Sequence, residues 1–303
     1  MVINLMLDYK LLQALAIVIQ EGGFDKAAQR LNITQSAVSQ RIKLLEDQLG
    51  TLLVIRTVPP APTPEGKNLL KHYIQVQSLE ADLEQSLNPL AREEFQAFAL
   101  GINADSLATW FFPAITCFLG ENRVLLDLKV DDQEQTHKLL RNGEVAGCIS
   151  SEKTPVQGCS VTPIGTMKYR MVATPEFAKA HFSRGIGKDC LETAPAVIYN
   201  RRDDLHARFL KTYFQRFVPE KGIQKIPIHY VPSSEKFVAL ILDGIAYGIV
   251  PDLQGLAHIK TGRLMDLAPG SHIGVDLYWH RWNLSSRLLD EFSKAIVKNA
   301  VIC

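Results

Sequence analysis

A chain of 303 residues has room for two domains that each bury a core. Its 47% apolar and 21% charged residues are ordinary globular composition and exclude long disorder. The formal net charge of +1 gives no electrostatic pointer to nucleic acid, and even residues 1–60 carry six Lys/Arg against five Asp/Glu.

Function must therefore be read from pattern. Residues 9–20 carry Leu11, Leu12, Leu15, Ile17, Val18 and Ile19, the spacing of a helix largely buried in a small domain, and Gly22-Gly23 end it. A short helix over 25–31 follows, where Ala27 and Ala28 let a neighbour approach closely. Thr34 is placed to cap a third helix running to residue 49. Val38, Ile42, Leu45 and Leu49 form its buried stripe. The opposite face presents Gln35, Ser36, Ser39, Gln40 and Lys43, short or amide-bearing groups of the kind that read base edges and hold phosphates in a major groove. An ordinary solvated face would more often show Glu and Lys pairs. Residues 52–56 predict a strand and the proline-rich 58–62 a wing, placing Arg56 to reach phosphates or the minor groove.

These residues carry a family resemblance. The run F-D-K-A-A-Q-R-L-N-I-T-Q-S-A-V-S-Q-R-I-K at 24–43, then L-L-E-D-Q-L-G and T-P-E-G, resembles the signature of LysR-type transcriptional regulators. The resemblance implies a winged helix-turn-helix over 1–63 in which Gln35, Ser36, Ser39, Gln40 and Arg56 fall at DNA-contacting positions. Thr34 and Lys43 complete the candidate set. Many relatives carry a basic residue where this chain has Gln40, so selectivity is expected to differ there.

Thr63-Pro64 starts a helix to residue 87, and Asn88-Pro89 ends it, giving a linker segment over 64–92. Leu69, Tyr73, Val76, Leu79, Leu83 and Leu87 form a seam suited to the same helix of a second subunit. A homodimer or homotetramer is expected, reading an inverted-repeat operator in double-stranded DNA.

From residue 93 the pattern alternates strand and helix, with strands expected at 96–102, 124–130, 145–149, 196–199, 226–231, 245–250 and 274–280. This rhythm predicts an α/β effector-binding domain over 93–303 in two lobes, 93–167 with 268–303, and 168–267. The family's periplasmic-binding-protein-like domain has that arrangement. Ligands in open α/β sheets collect at the carboxyl ends of strands. The candidates there are Asn103, Asp105, Ser106, Asp132, Asp203, Asp204, Ser233, Ser234 and Glu235. Ser, Asp and Asn also cap helices for purely structural reasons, so each has a second reading. Together the carboxylates suit a cation, and the hydroxyls and helix starts suit a carboxylate, a combination that fits a basic amino acid. The wording N-A-D-S-L-A-T-W at 103–110, S-S-E-x-F at 233–237 and Y-W-H-R at 278–281 resembles one branch of the family, whose members respond to arginine and lysine and control amino-acid export.

The expected function is thus an effector-responsive, sequence-specific regulator, with RNA polymerase a further candidate partner. The alternatives are a nucleoid protein that blocks initiation at a replication origin and a regulator for a different effector. No enzyme and no cofactor is expected, because G-x-S-x-G, phosphate-loop and metal-triplet motifs are absent and His280 reads as a packed strand residue. Apolar stretches such as 14–19 are too short for a bilayer and no signal peptide is evident, so a cytoplasmic, nucleoid-associated protein with no membrane partner is expected. Cysteines at 117, 148, 159, 190 and 303 show no metal spacing and read as reduced, mostly buried thiols; the alternative is a redox switch using Cys148 and Cys159.

Overall fold

The computed structural model describes residues 7–87, 95–131, 136–217 and 225–302. Asp8 accepts a hydrogen bond from the Lys10 N–H (2.8 Å) to start α1 (Tyr9–Glu21), and Gly22, in the left-handed region at φ 67°, ends it. Helices α2 (Phe24–Leu31) and α3 (Gln35–Leu49) pack against α1. Their shared core holds Leu12, Leu15, Val18, Ala27, Val38, Ile42 and Leu45. The wing strands β1 (Val54–Ile55) and β2 (Ala61–Pro62) pair antiparallel. They are shorter than the expected 52–56, because Pro59, Pro60 and Pro62 have no N–H to extend the ladder.

Helix α4 (Pro64–Leu87) is capped by Thr63, whose hydroxyl accepts from the Gly66 N–H (3.1 Å) and donates to the Leu52 carbonyl (2.8 Å). A Cβ on Gly66 would lie 2.2 Å from the Leu53 carbonyl oxygen, so only glycine lets the first turn rest on the wing. The expected seam is divided. Tyr73 (4% exposed) belongs to the core of its own DNA-binding domain, with Leu69 packed against it, whereas Leu79, Leu83 and Leu87 stand exposed, Leu83 by 57%.

Nine strands of the C-terminal domain form one sheet, ordered β4-β3-β5-β11-β6-β9-β7-β8, with β10 (Met265–Asp266) beside β6. One end is a parallel trio: β3 (Gln96–Asn103) between β4 (Val124–Asp131) and β5 (Gly147–Ser150). The other repeats that order with β7 (Ala196–Ile198) between β8 (Ile228–Tyr230) and β9 (Tyr247–Pro251). The long antiparallel pair β6 (Cys159–Ala173) and β11 (Ile273–Trp282) joins them. A register shift in β11 between Leu277 and Tyr278 falls where its free edge begins to pair with β5.

Strand β6 was not among the expected strands. Pro163 and Gly165 interrupt its pattern, yet Met167, Tyr169 and Met171 alternate into the core beyond them. The boundary expected at 167/168 lies inside this one strand.

Helices α6 (Phe111–Glu121) and α13 (Arg287–Asn299) pack together, with Phe111, Phe118 and Phe292 among the buried rings between them. Short α5 (Ala104–Ala108) follows β3, and α7 (Thr136–Arg141) precedes β5. The other end carries α8 (Pro175–His181), α9 (Lys188–Thr193), α10 (Leu205–Phe214), α11 (Ser234–Leu242) and α12 (Asp252–Lys260). Arg170 on β6 grips Asp252 with two bonds (2.6 and 3.1 Å) and Asp266 with a third (3.2 Å), fastening α12 and β10 to the sheet.

Strand β11 separates β5 from β6, so Cys148 and Cys159 sit two strand spacings apart, roughly 9–10 Å across the sheet, and two residues out of register along it. A disulfide cannot span that gap, and burial pushes the Cys148 thiol pKa far up, so the redox pairing does not hold. Among the described residues, no helix is long and apolar enough to cross a membrane.

Candidate functional site

Two regions carry the candidate residues. On α3, Gln35, Ser36, Gln40 and Lys43 are exposed and Ser39 is half-buried beside them, while Val38, Ile42 and Leu45 face inward. Thr34 is engaged as the cap: its hydroxyl accepts from the Ala37 N–H (3.2 Å) and lies 2.9 Å from the Ser36 hydroxyl. At the other end of the helix, a Glu46 oxygen accepts from the Leu53 and Val54 N–H groups (2.8 and 3.3 Å), tying α3 to the wing. The exposed Arg56 guanidinium sits 5.8 Å from the centroid of the Phe24 ring at the start of α2.

The second region is a cavity of about 100 Å³ at the carboxyl ends of β3, β5, β7 and β9. Asp105 is its floor. One carboxylate oxygen accepts from the Ser234 hydroxyl (2.6 Å) and the other from the Tyr169 hydroxyl (2.9 Å). Burial pushes its pKa above the ordinary carboxylate value, against the lowering effect of both hydroxyls. Across the cavity, Asp203 accepts from the Leu205 N–H (2.9 Å) and the Tyr199 N–H (3.4 Å). Burial raises its pKa too, helped by the nearby charges of Asp105 and Asp204. Asn103, 2% exposed, lines the wall, and neither its amide nitrogen nor its amide oxygen has a hydrogen-bond partner among the described residues. Gln254 completes the floor, its amide oxygen 3.0 Å from Ser234 Oγ. Positive charge enters at the rim with Arg202 and Arg208, the latter 3.7 Å from Asp204.

Comparison with known proteins gives the class. Residues 9–67 match the description "Bacterial regulatory helix-turn-helix protein, lysR family", and residues 93–300 match "LysR substrate binding domain". The chain belongs to the LysR family. It is 43% identical over 298 residues to the HTH-type transcriptional regulator ArgP of Pseudomonas aeruginosa, covering 98% of this chain and 97% of that one. The crystal structure of ArgP from Mycobacterium tuberculosis superposes with a TM-score of 0.86 at 35% identity over 98% of both chains. Full-length LysG from Corynebacterium glutamicum, with bound effector arginine, gives 0.76 at 32% identity over 97% of this chain and 98% of that one. The protein is a LysR-type transcriptional regulator, built as an N-terminal helix-turn-helix and a C-terminal α/β substrate-binding domain.

Within this LysR-family frame, Asn103, Asp105, Asp203, Asp204 and Ser234 come together at the cavity. Three other expected residues do not, and a fourth, Asp132, is not among the described residues. Ser106 is buried in α5 without a partner for its hydroxyl and lines no part of the cavity. Ser233 caps α11 by accepting from the Lys236 N–H, and Glu235 is exposed on its first turn. The sequence reading missed Tyr169, Gln254, Arg202 and Arg208. Tyr169 was out of reach once β6 was unread. Gln254 had a usable signal, since it stands on the first turn of α12, directly after the strand expected at 245–250.

Proposed function

We propose that this regulator senses a basic amino acid, arginine or lysine, in the cavity of its C-terminal domain. The observation that carries this reading is the pair of half-buried carboxyl groups lining the cavity, Asp105 and Asp203, whose burial disfavours their own charge, that of Asp203 further through the nearby charge of Asp105. A guanidinium or ammonium between them restores favourable electrostatics, because charged groups out of water need an opposite partner. The ligand's α-carboxylate would then lie towards Arg202 and Arg208, with Asn103 offering a donor and an acceptor to its amino-acid head. The serines expected for that task are engaged elsewhere, Ser234 with Asp105 and Ser233 in its cap. The arginine bound to LysG supports the same class.

The division of labour follows from the boundaries 1–63 for DNA reading, 64–92 for linkage and self-association, and 93–303 for sensing. The exposed Leu79, Leu83 and Leu87 would pair with a second copy, and the two recognition helices would then read an inverted repeat. Recruitment of RNA polymerase and a place on the nucleoid belong to the same reading.

Isothermal titration with arginine, lysine and the uncharged citrulline tests it. Binding of the two cationic amino acids and not citrulline is expected. Equal binding of citrulline, or no binding of either cation, would end the assignment of the effector while leaving the LysR-type fold in place.

A further inference from the structure

The contact between α4 and the turn after α7 has no part in the functions described so far. The turn is Asn142-Gly143-Glu144, held by the Gly143 N–H on the Leu140 carbonyl (3.1 Å) and the Glu144 N–H on the Leu139 carbonyl (2.9 Å). Gly143 sits at φ +79° against the third turn of α4, at Lys71. A Cβ there would lie 2.6 Å from Lys71 Cα and 2.5 Å from Lys71 Cβ, so the turn touches the helix backbone directly. One turn further on, Ile74 packs against both the DNA-binding core and the core of the C-terminal domain.

The same turn leads straight to the cavity. After it, β5 runs to Ser150, and the next residue, Ser151, lines the cavity wall. Helix α7 is bolted to that strand by the buried Thr136 hydroxyl, which donates to the Ile149 carbonyl (2.7 Å). There is no slack around β5. A Cβ on Gly101 would come 2.9 Å from Cys148 Cβ, and one on Gly147 would come 2.2 Å from the Trp279 ring. A strand packed this closely on both neighbours moves as a rod or not at all.

We propose that the Gly143 turn is the coupling element of this regulator: occupancy of the cavity displaces the α7–turn–β5 unit, and the turn passes that displacement to α4 and the recognition helix it carries. The proposal rests on the reading that the cavity holds the effector. Coupling then needs only that the seated turn be favoured differently in the empty and filled protein.

The test uses the full-length chain and a glycine control. Gly143→Ala introduces both a left-handed alanine and the clash with α4. Gly158→Ala introduces the same backbone cost, at φ +77°, with nothing within 4 Å of the new Cβ. Two quantities are measured: hydrogen exchange of amides 69–78 without ligand, and affinity for a genomic DNA fragment selected by the wild type, with and without arginine or lysine. Gly143→Ala should speed exchange in 69–78 and shift ligand-free DNA affinity by about fivefold or more, the lower end of typical coupling. It should also abolish the effect of the amino acid on DNA binding and, by reciprocity, change arginine affinity in the cavity by a comparable factor without abolishing it. Gly158→Ala should do none of these things. If Gly143→Ala matches Gly158→Ala in exchange and in DNA affinity, the proposal is overturned. Should Gly143→Ala fail to fold, Ile74→Ala opens the same seam by a cavity instead of a clash and must give the same pattern. If the wild type binds neither amino acid, the effector reading fails, and the exchange and ligand-free affinity still decide the coupling element.

Discussion

The recognition face of α3 and the floor of the cavity are both polar, yet the first keeps its groups in water and the second holds them under cover. Gln35, Ser36, Gln40 and Lys43 stand in solvent, where an unused donor or acceptor costs nothing. Asp105 and Asp203 are each committed to two protein hydrogen bonds, and Asn103 is buried with none. An exposed reading face can be altered without touching stability. A buried one couples binding to the free energy of the fold.

Acid gives the largest expected effect and sharpens this contrast. His206, buried beside Tyr247 with Nε2 3.2 Å from the phenol oxygen, has its pKa pushed down to about 4 by burial. The unfolded chain takes up that proton near pH 6.5, so between these values the unfolded state binds more protons. Stability should therefore fall as pH drops through that window, by roughly 3 kcal/mol from this residue alone. The raised carboxyls Asp105 and Asp203 act in the opposite sense, since the folded state protonates first and acid favours it above the ordinary carboxylate value. Thermal melts of wild type and His206→Gln from pH 7 to 4 check the sign; equal slopes would remove His206 from the account.

Next in size is Asp105→Asn. It nearly preserves shape but removes charge, so it should cost about ten- to hundredfold in arginine or lysine affinity, the worth of a charge-assisted bond. It should also raise the melting temperature of the ligand-free protein, because the burden of a buried carboxylate is gone. Calorimetry and a melt on the same sample read both, and unchanged affinity would place the cation elsewhere.

On the recognition face, the exposed Gln35→Ala or the half-buried Ser39→Ala should weaken operator binding by roughly 1–3 kcal/mol with little change in melting temperature. A drop in stability comparable to the loss in affinity would break the contrast between the two regions. The smallest effect is expected for Arg56→Ala. Losing one phosphate contact should weaken specific and random DNA alike and flatten the salt dependence by about one unit of slope. A loss confined to the specific site would make Arg56 a base reader instead.

The sequence made these two regions legible to different degrees. In the N-terminal domain each helix start and stop is written locally, by Thr34, Gly22 and Thr63-Pro64, and observed bounds differ from expectation by a residue or so. The reading face follows from one helical period. The cavity and its supports draw on residues from β3, α5, β6, α11 and α12, and no local pattern states that Asp105 meets Tyr169, 64 positions on, and Ser234, 129 positions on. Capping residues were also indistinguishable from ligand-facing ones in the sequence, as Ser233 and Ser234 illustrate: one caps its helix and its neighbour reaches the cavity. Leu69 and Tyr73 looked like part of a dimer seam because burial in one's own core and burial against a partner select the same side chains.

Strands β6 and β11 pair along their whole length, with one register shift, and each also pairs with one end of the sheet, β6 with β9 and β11 with β5. Two lobes joined by flexible connectors could melt one after the other, each with its own enthalpy. Here the hydrogen-bond ladder between Ile273–Trp282 and Cys159–Ala173 belongs to both, so neither end can lose its central strands while the other keeps them. The sensing domain should therefore unfold in one calorimetric transition, with van't Hoff and calorimetric enthalpies in agreement. A ligand held at the cavity would then protect residues as distant as the edge strands β4 and β8, since mass action stabilises the whole cooperative unit and not only the atoms it touches.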